Sequence, residues 1–314
     1  MSIDYTKNLI RRSRLIMPAN NDRFIEKAFL RNADCIVLDL EDSVPIDEKL
    51  NAQGKIKEAI QTVKLGASDV IVRVNNVSSM ILEDIDSAIW PGLNGIYTPK
   101  VETGEQVQNI SAFISKLEEK RDLEMGSIKI GISIETAKGL NNLNGILGSS
   151  DRIDSLTLGV EDFSLDTGIE ISEDTYNAML IPRMEILLAA RDKKILPMGL
   201  MGSIANFSDN QGIEKSARLA YKHGFLGASC IHPANVEALN KGFSPSEAEV
   251  KESKNIVNAF EEGLKDGKAS INYNGRMIDT PHYEKAKLIL DRHEKIEEYE
   301  RKKKEARELN TQMG

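Results

Sequence analysis

Two acidic residues close apolar runs in this chain, and both are of a type that can hold a metal or move a proton. Glu135 ends Lys129-Ile130-Gly131-Ile132-Ser133-Ile134-Glu135, and Asp162 follows the run Ser155–Val160. Gly159 precedes it and would let a ligand approach the backbone closely. Two carboxylates from neighbouring strand ends, with no His or Cys in reach, suit a hard divalent cation. Mg²⁺ takes one or two protein carboxylates and completes its octahedron with water and substrate oxygens, and Mn²⁺ is the alternative. Glu135 also reads as a cap for the helix after it. Arg73 lies near the end of Val70-Ile71-Val72-Arg73-Val74-Asn75, where a buried arginine needs a partner. Its planar fork suits a substrate carboxylate, or a structural ion pair with Asp39 or Glu41. Glu41 and Asp42 either hold metal-bound waters or form an ordinary loop face. Lys100, at another strand end, offers the competing Schiff-base strategy. His232 reads as a structural residue closing a strand, and His223, His282 and His293 have no partner at metal-ligand spacing.

The elements that must position these groups alternate. Candidate strands are Arg14–Met17, Cys35–Leu40, Val70–Val74, Gly95–Thr98, Ile128–Ile134, Ser155–Val160, Ile195–Met198 and Gly227–Ile231. Most are continuous apolar runs, as in strands buried on both faces. Helical patterns lie between them at Asn21–Arg31 (with Asn21 as a possible cap), Asp47–Leu65, Glu105–Leu123, Glu173–Lys193 and Asp209–His223. This order predicts an α/β fold, a (β/α)8 TIM barrel, with a doubly wound open sheet as the alternative. Polar groups cluster at the strand C-termini, and only a barrel brings those ends to one face. Residues 1–240 form the expected barrel. Residues 241–314 form a helical and hairpin extension: a capped helix after Ser244-Pro245-Ser246-Glu247, a turn at Asn274-Gly275, and a last helix from Pro281. The charge run Glu300-Arg301-Lys302-Lys303-Lys304-Glu305 reads as a solvated helix end.

Composition excludes several classes. The net charge is −8, from 41 basic and 49 acidic residues, which leaves no basic footprint for nucleic acid. Aromatics at 5% offer no stacking platform. No window approaches the roughly 18 uninterrupted apolar residues of a membrane span. Cys35 and Cys230 read as buried small residues rather than a disulfide, which suits a reducing, cytoplasmic location.

Eight blocks now point to a family. They are Arg12-Ser13-Arg14-Leu15-Ile16-Met17-Pro18, Leu38-Asp39-Leu40-Glu41-Asp42-Ser43-Val44-Pro45, Val72-Arg73-Val74-Asn75, Thr98-Pro99-Lys100-Val101-Glu102 and Ile134-Glu135-Thr136. Leu158-Gly159-Val160-Glu161-Asp162, Cys230-Ile231-His232-Pro233 and Gly275-Arg276-Met277-Ile278-Asp279-Thr280-Pro281 complete them. In this order the chain resembles the citrate lyase β-subunit and malyl-CoA/citramalyl-CoA lyase family of the HpcH/HpaI aldolase superfamily. The resemblance implies a homotrimer or a hexamer, with Mg²⁺ held by Glu135 and Asp162. It implies that Arg73 contacts the reacting acid or thioester oxygen. Backbone N–H groups around Gly159, Val160 and Glu161 would cradle a 2-oxo acid carboxylate. It places a CoA-contacting loop near Arg14 and Asn20, although Pro18-Ala19-Asn20 stands where the family often reads Pro-Gly-Asn. Asp279 would be the general acid/base, delivered from a neighbouring subunit. The implied reaction is carbon–carbon cleavage, or formation, of a 3-hydroxy-3-carboxyacyl-CoA such as citramalyl-CoA or malyl-CoA, giving acetyl-CoA plus pyruvate or glyoxylate. Alternatives are a citrate lyase β-subunit acting on a citryl carrier protein, an aldolase for free hydroxy-keto acids, and an inactive CoA-binding barrel.

Overall fold

Runs of Ile, Val and Leu become parallel strands here because helices cover one face of the sheet and the other turns inward. A computed structural model of the chain describes residues 4–172, 174–202 and 208–312. Its strands are β1 (Ser13–Pro18), β2 (Cys35–Asp39), β3 (Asp69–Arg73), β4 (Gly95–Thr98), β5 (Lys129–Ile134), β6 (Ile153–Leu158), β7 (Leu196–Met198) and β8 (Ala228–Cys230). Every adjacent pair is parallel, in the order β7-β6-β5-β4-β3-β2-β1-β8. The seam between β7 and β8 is joined by a bridge from Met198 to Gly227, and Gly199 N–H donates to Gly227 O at 2.8 Å. An open sheet would leave those strands at opposite edges. The fold is therefore a (β/α)8 barrel. Gly227 makes the closure possible, because a Cβ there would lie 1.9 Å from Arg11 O.

Four of the eight strands stop one or two residues earlier than the sequence predicts. Leu40, Val74 and Ile231 pass into loops, and Val160 opens a helix (Val160–Thr167). The expected helices occur as Asp22–Ala28, Lys49–Lys64, Gly104–Lys120, Tyr176–Asp192 and Asn210–His223. Glu173, the expected start of the fourth, lies outside the described residues. Asn21 occupies the N-cap position of the first, but its side chain makes no capping bond. The helix Ile81–Ala88 has no counterpart in the sequence reading, since eight residues give too short a period. Ile36, Leu38, Ile56, Ile60 and Ile85 are fully buried between sheet and helices. Each such side chain contributes about 1.5–3 kcal/mol. A smaller cluster of Cys35, Val37, Ile71 and Tyr97 fills the barrel interior. Cys35 and Cys230 are buried free thiols, each pushed up to about 12 by that burial.

The chain divides into two compact units. The barrel unit runs to Phe243 and takes in the chain again from Lys303; the second unit is Ser244–Lys302. In the second unit, Ser246 and Glu249 form a capping box on the helix Glu247–Lys265. A hairpin of β9 (Ile271–Tyr273) and β10 (Arg276–Ile278) turns at Asn274 and Gly275, whose φ values are 51° and 76°. That pair of positive angles is the turn the Asn-Gly dipeptide favours.

The helix Thr280–Gln312 ends in the barrel unit; Arg301, Lys302, Lys304 and Glu305 are exposed as expected, and the solvated reading of the charge run fails at Lys303 alone. Lys303 is fully buried and donates to Asp34 Oδ1 at 2.6 Å and to Asn32 O at 2.9 Å. Asp34 also accepts from Arg12 Nε at 2.7 Å and Nη2 at 2.9 Å. A charge run shows its periodicity but not which member meets a buried carboxylate. Among the described residues no helix is long and apolar enough to cross a membrane.

Candidate active site

Alternation along the strands decides which side chains turn inward, and the register decides which of them meet. Asp39 and Arg73 are direct neighbours across β2 and β3. Arg73 grips Asp39 with both arms, Nε to Oδ1 at 2.6 Å and Nη2 to Oδ2 at 2.7 Å. Its Nη1 lies 2.8 Å from Glu41 Oε2 and 3.3 Å from Asp42 Oδ2. The ion-pair reading of Arg73 is thus the one realised in this structure. Burial alone would lower the Arg73 guanidinium, but Asp39 and Glu41 more than offset it and raise it well above its ordinary value. Burial likewise pushes Asp39 up, yet Arg73 and the Ser43 hydroxyl hold its carboxyl below the usual range. Burial pushes the Glu41 carboxyl up to about 7; Arg73 pulls it back and Asp42 adds to the rise.

Lys100 follows β4 with a φ of 52°, a conformation that costs a non-glycine residue about 1–3 kcal/mol. Its ammonium lies 3.5 Å from Glu41 Oε1 and 3.3 Å from Asp162 Oδ1. Burial lowers the Lys100 ammonium, but Glu41 and Asp162 outweigh that and raise it. Glu135 is buried at the end of β5, and Asp162 sits half-exposed in the first turn of Val160–Thr167. Burial pushes the Glu135 carboxyl up, and Asp162 adds to it; the nearby Ser133, Lys100 and Arg73 offset only part. Arg73, Asp42, Glu135 and Asp162 line one cavity of about 460 Å³, together with Tyr97, Thr157 and Ser229, while Asp39, Glu41 and Lys100 stand behind it.

Gly159 explains how Glu135 fits. A Cβ there would lie 2.5 Å from Glu135 Cγ and 2.8 Å from its Oε1. Gly159→Ala is therefore expected to displace the carboxylate and weaken divalent-cation binding about 10–100-fold, the loss typical when a ligand's support is removed. Calorimetric titration of Mg²⁺ against both proteins checks this, and equal affinities would defeat it.

A buried carboxylate raised in part by its neighbour Asp162, with an ammonium drawn between Asp162 and Glu41, forms a place where positive charge settles. The oxygens of Glu135 and Asp162 are hard donors, and such a pair leaves the other positions of an octahedron to water and substrate. Among the described residues, no group of three or more His, Cys, Asp or Glu stands at metal-binding spacing. The pair fits Mg²⁺.

Residues 12–233 match the HpcH/HpaI aldolase/citrate lyase family. The chain belongs to that family. The citrate lyase subunit beta of Leuconostoc mesenteroides subsp. cremoris is 32% identical over 282 residues, covering 90% of this chain and 92% of that one. The mitochondrial citramalyl-CoA lyase of Homo sapiens is 30% identical over 293 residues, covering 89% and 84%. Among solved structures, CitE from Mycobacterium tuberculosis in complex with magnesium, acetoacetate and coenzyme A superposes with a TM-score of 0.73. That likeness covers 91% of this chain and 99% of CitE at 22% identity, and it shows the shared fold. Membership of the HpcH/HpaI family makes the chain a carbon–carbon lyase by class.

Against the family expectations, Arg14 needs correcting. It is fully buried inside the barrel, stacked 4.1 Å from the Tyr97 ring centre, and does not reach a surface where CoA could lie. Asn20 is half-buried beside Ala19, whose N–H donates to Asp39 O at 3.0 Å. Ala19 has no positive φ, so the loop does not need the family's glycine. Gly159 N–H is spent on Ile134 O at 2.9 Å, which leaves any cradle to the first-turn N–H groups that follow it. The N-cap residue of that helix is Gly159, which has no side chain to cap it. His232 is exposed and accepts from Ala234 N–H, a capping role. Asp279 lies in the second unit, where its carboxylate meets His282 Nδ1. Sequence reasoning missed Lys49, Asn75 and Asp84. Lys49 Nζ donates to Leu40 O and Glu41 O, both at 2.7 Å, and to Asn75, which in turn donates to Asp84. This network fixes the loop carrying Glu41, and its one visible sign was polar residues at core-facing positions.

Proposed function

We propose that this chain is a Mg²⁺-dependent lyase that cleaves, or forms, a 3-hydroxy-3-carboxyacyl-CoA thioester such as citramalyl-CoA or malyl-CoA. The products are acetyl-CoA and a 2-oxo acid such as pyruvate or glyoxylate. The observation that carries this is the Glu135 and Asp162 pair beside Lys100 at the barrel's C-terminal face. It is supported by the relatives named citramalyl-CoA lyase and malyl-CoA/β-methylmalyl-CoA lyase, and by a fold neighbour named with magnesium and coenzyme A.

Glu135 and Asp162 would hold Mg²⁺, which when bound polarises the substrate's hydroxyl and carboxylate oxygens. Arg73, its plane locked by Asp39, places fixed positive charge where negative charge develops as the bond breaks. The first turn of Val160–Thr167, entered through Gly159, suits the carboxylate of the oxo acid. Lys100 stays an ammonium, which disfavours the Schiff-base route. Asp279 would take a proton from the acetyl carbon in the condensation direction, or return one in cleavage. The His282 hydrogen bond holds its carboxyl below the ordinary value, so it rests as the base.

The test is release of acetyl-CoA and oxo acid from racemic citramalyl-CoA and malyl-CoA, with Mg²⁺ and with chelator. Turnover should require the metal, and Asp279→Asn should lose turnover while keeping Mg²⁺ affinity. Protein that fails to bind Mg²⁺ would overturn the reading. A second reading, action on a carrier-protein thioester, is favoured by citrate lyase beta subunits at 32% and 33% identity. Silence with both CoA thioesters in Mg²⁺-binding protein would select it. The reading carries with it a homotrimer or hexamer in the cytoplasm, which the mass of the purified particle and fractionation of the cells would check.

A further inference from the structure

Arg14 is 1% exposed, yet among the described residues every partner of its guanidinium is neutral. Nε donates to Ser229 Oγ at 2.9 Å, Nη2 donates to Thr157 Oγ1 at 3.0 Å, and the carbon stacks on Tyr97. A buried charge is costly without a counter-charge. The other inward-facing arginines have one: Arg73 holds Asp39, and Arg11 holds Asp69 at 2.8 Å and Asp154 at 2.7 Å.

The two hydroxyls add direction. Each accepts from Arg14, so each must point its own proton elsewhere. Thr157 and Ser229 both line the cavity, as does Tyr97, which makes the cavity the place those protons can go. Thr157 lies two residues before Gly159 on the same strand course, about 6–7 Å deeper in the barrel at about 3.3 Å per residue. That is roughly the span of a four-carbon chain. The floor thus offers two O–H donors backed by an unbalanced cation, set one short acid's length below Glu135 and Asp162.

We propose that Arg14, Thr157 and Ser229 form an anion subsite that takes a second carboxylate at the far end of the oxo-acid fragment. Arg14 acts through the hydroxyls as a specificity-determining residue. Pyruvate and glyoxylate lack this second carboxylate, so the subsite favours a thioester whose oxo-acid fragment is a four-carbon dicarboxylate; that identity rests on the lyase reading, and the subsite itself does not.

Calorimetry with L-malate and L-lactate in the presence of Mg²⁺ tests it, because the two acids differ at the far end by a carboxylate against a methyl. The wild-type protein should bind malate at least tenfold more tightly. Arg14→Met should bring that ratio near one while leaving lactate affinity unchanged. Its melting temperature should be equal or higher, since an unbalanced buried charge is gone. If Arg14→Met does not fold, the double variant Thr157→Val/Ser229→Ala carries the same expectation. Equal binding of both acids by the wild type, no binding of either, or an equal loss for both in the variants would overturn the subsite. A malate preference that depends on Arg14, in protein without lyase activity, would support the subsite and sink only the lyase reading.

Discussion

Glu135→Gln is expected to remove Mg²⁺ binding and to lower metal-dependent turnover by about 10³-fold, with no loss of thermal stability. The substitution keeps the shape that fits against Gly159 and deletes only the charge. A Lewis-acid site supplies several kcal/mol to the transition state, and about 4 kcal/mol corresponds to about 10³ in rate. Stability should rise slightly instead of falling. Burial raises the Glu135 carboxyl in the folded, metal-free protein. A carboxyl with a raised folded value binds more protons folded than unfolded, so its contribution turns unfavourable as pH climbs above the unfolded value. Glutamine has no such cost at neutral pH. Asp162→Asn should show a smaller change in stability, because that carboxylate is half-exposed. Mg²⁺ titration, steady-state rates and melting curves decide the matter. Unchanged Mg²⁺ affinity in Glu135→Gln would remove the pair from the metal site altogether.

Asp34→Asn should destabilise the barrel unit by about 3–5 kcal/mol, the cost of stripping the partner from buried charges. For a protein of this size that is a fall in melting temperature on the order of 10 °C. Asparagine would leave Arg12 and the fully buried Lys303 facing a neutral group. The effect has a pH signature. Burial would push the Asp34 carboxyl up, but Arg12 and Lys303 hold it at about 2. The unfolded chain takes up that proton near pH 4, before the folded one does, so wild-type stability is present above about pH 4 and is lost as pH falls towards 2. Denaturant midpoints at neutral pH and at pH 3 should therefore show the gap between the two proteins narrowing in acid. A gap that stays constant with pH would contradict the assignment.

How much of this was legible in the sequence varies with the physical cause. The eight strands were readable because continuous apolar runs such as Ile36-Val37-Leu38 carry a signal within a few residues. Glu135 and Asp162 were readable as strand-end carboxylates for the same reason. Arg73 showed only that it needed a partner; whether that partner was substrate or Asp39 depended on a cross-strand register that no single strand encodes. Arg14 was read as the start of a strand and, by resemblance, as a neighbour of a CoA-contacting loop. Its inward direction follows from the pleat phase of β1, and its neutral neighbours come from strands about 143 and 215 residues further along the chain. Lys303 was misread because a helix of mixed charge looks the same from sequence whether or not one lysine reaches a buried carboxylate.

The pairing of β1 with both β2 and β8 sets the timetable of folding. Arg14 pairs with Cys35 on one side and with Ser229 on the other, so the first strand made must wait for the last before its second edge is covered. During synthesis at about 5–20 residues per second that wait lasts about 10–40 s. Long-range parallel pairing is in any case slow, because the loop entropy must be overcome before the contacts form. Lys303 arrives later still, to seal the charge on Asp34. The nascent chain therefore spends its most exposed period with an apolar strand edge open to other chains, and chaperone protection is most valuable before residue 230 has emerged.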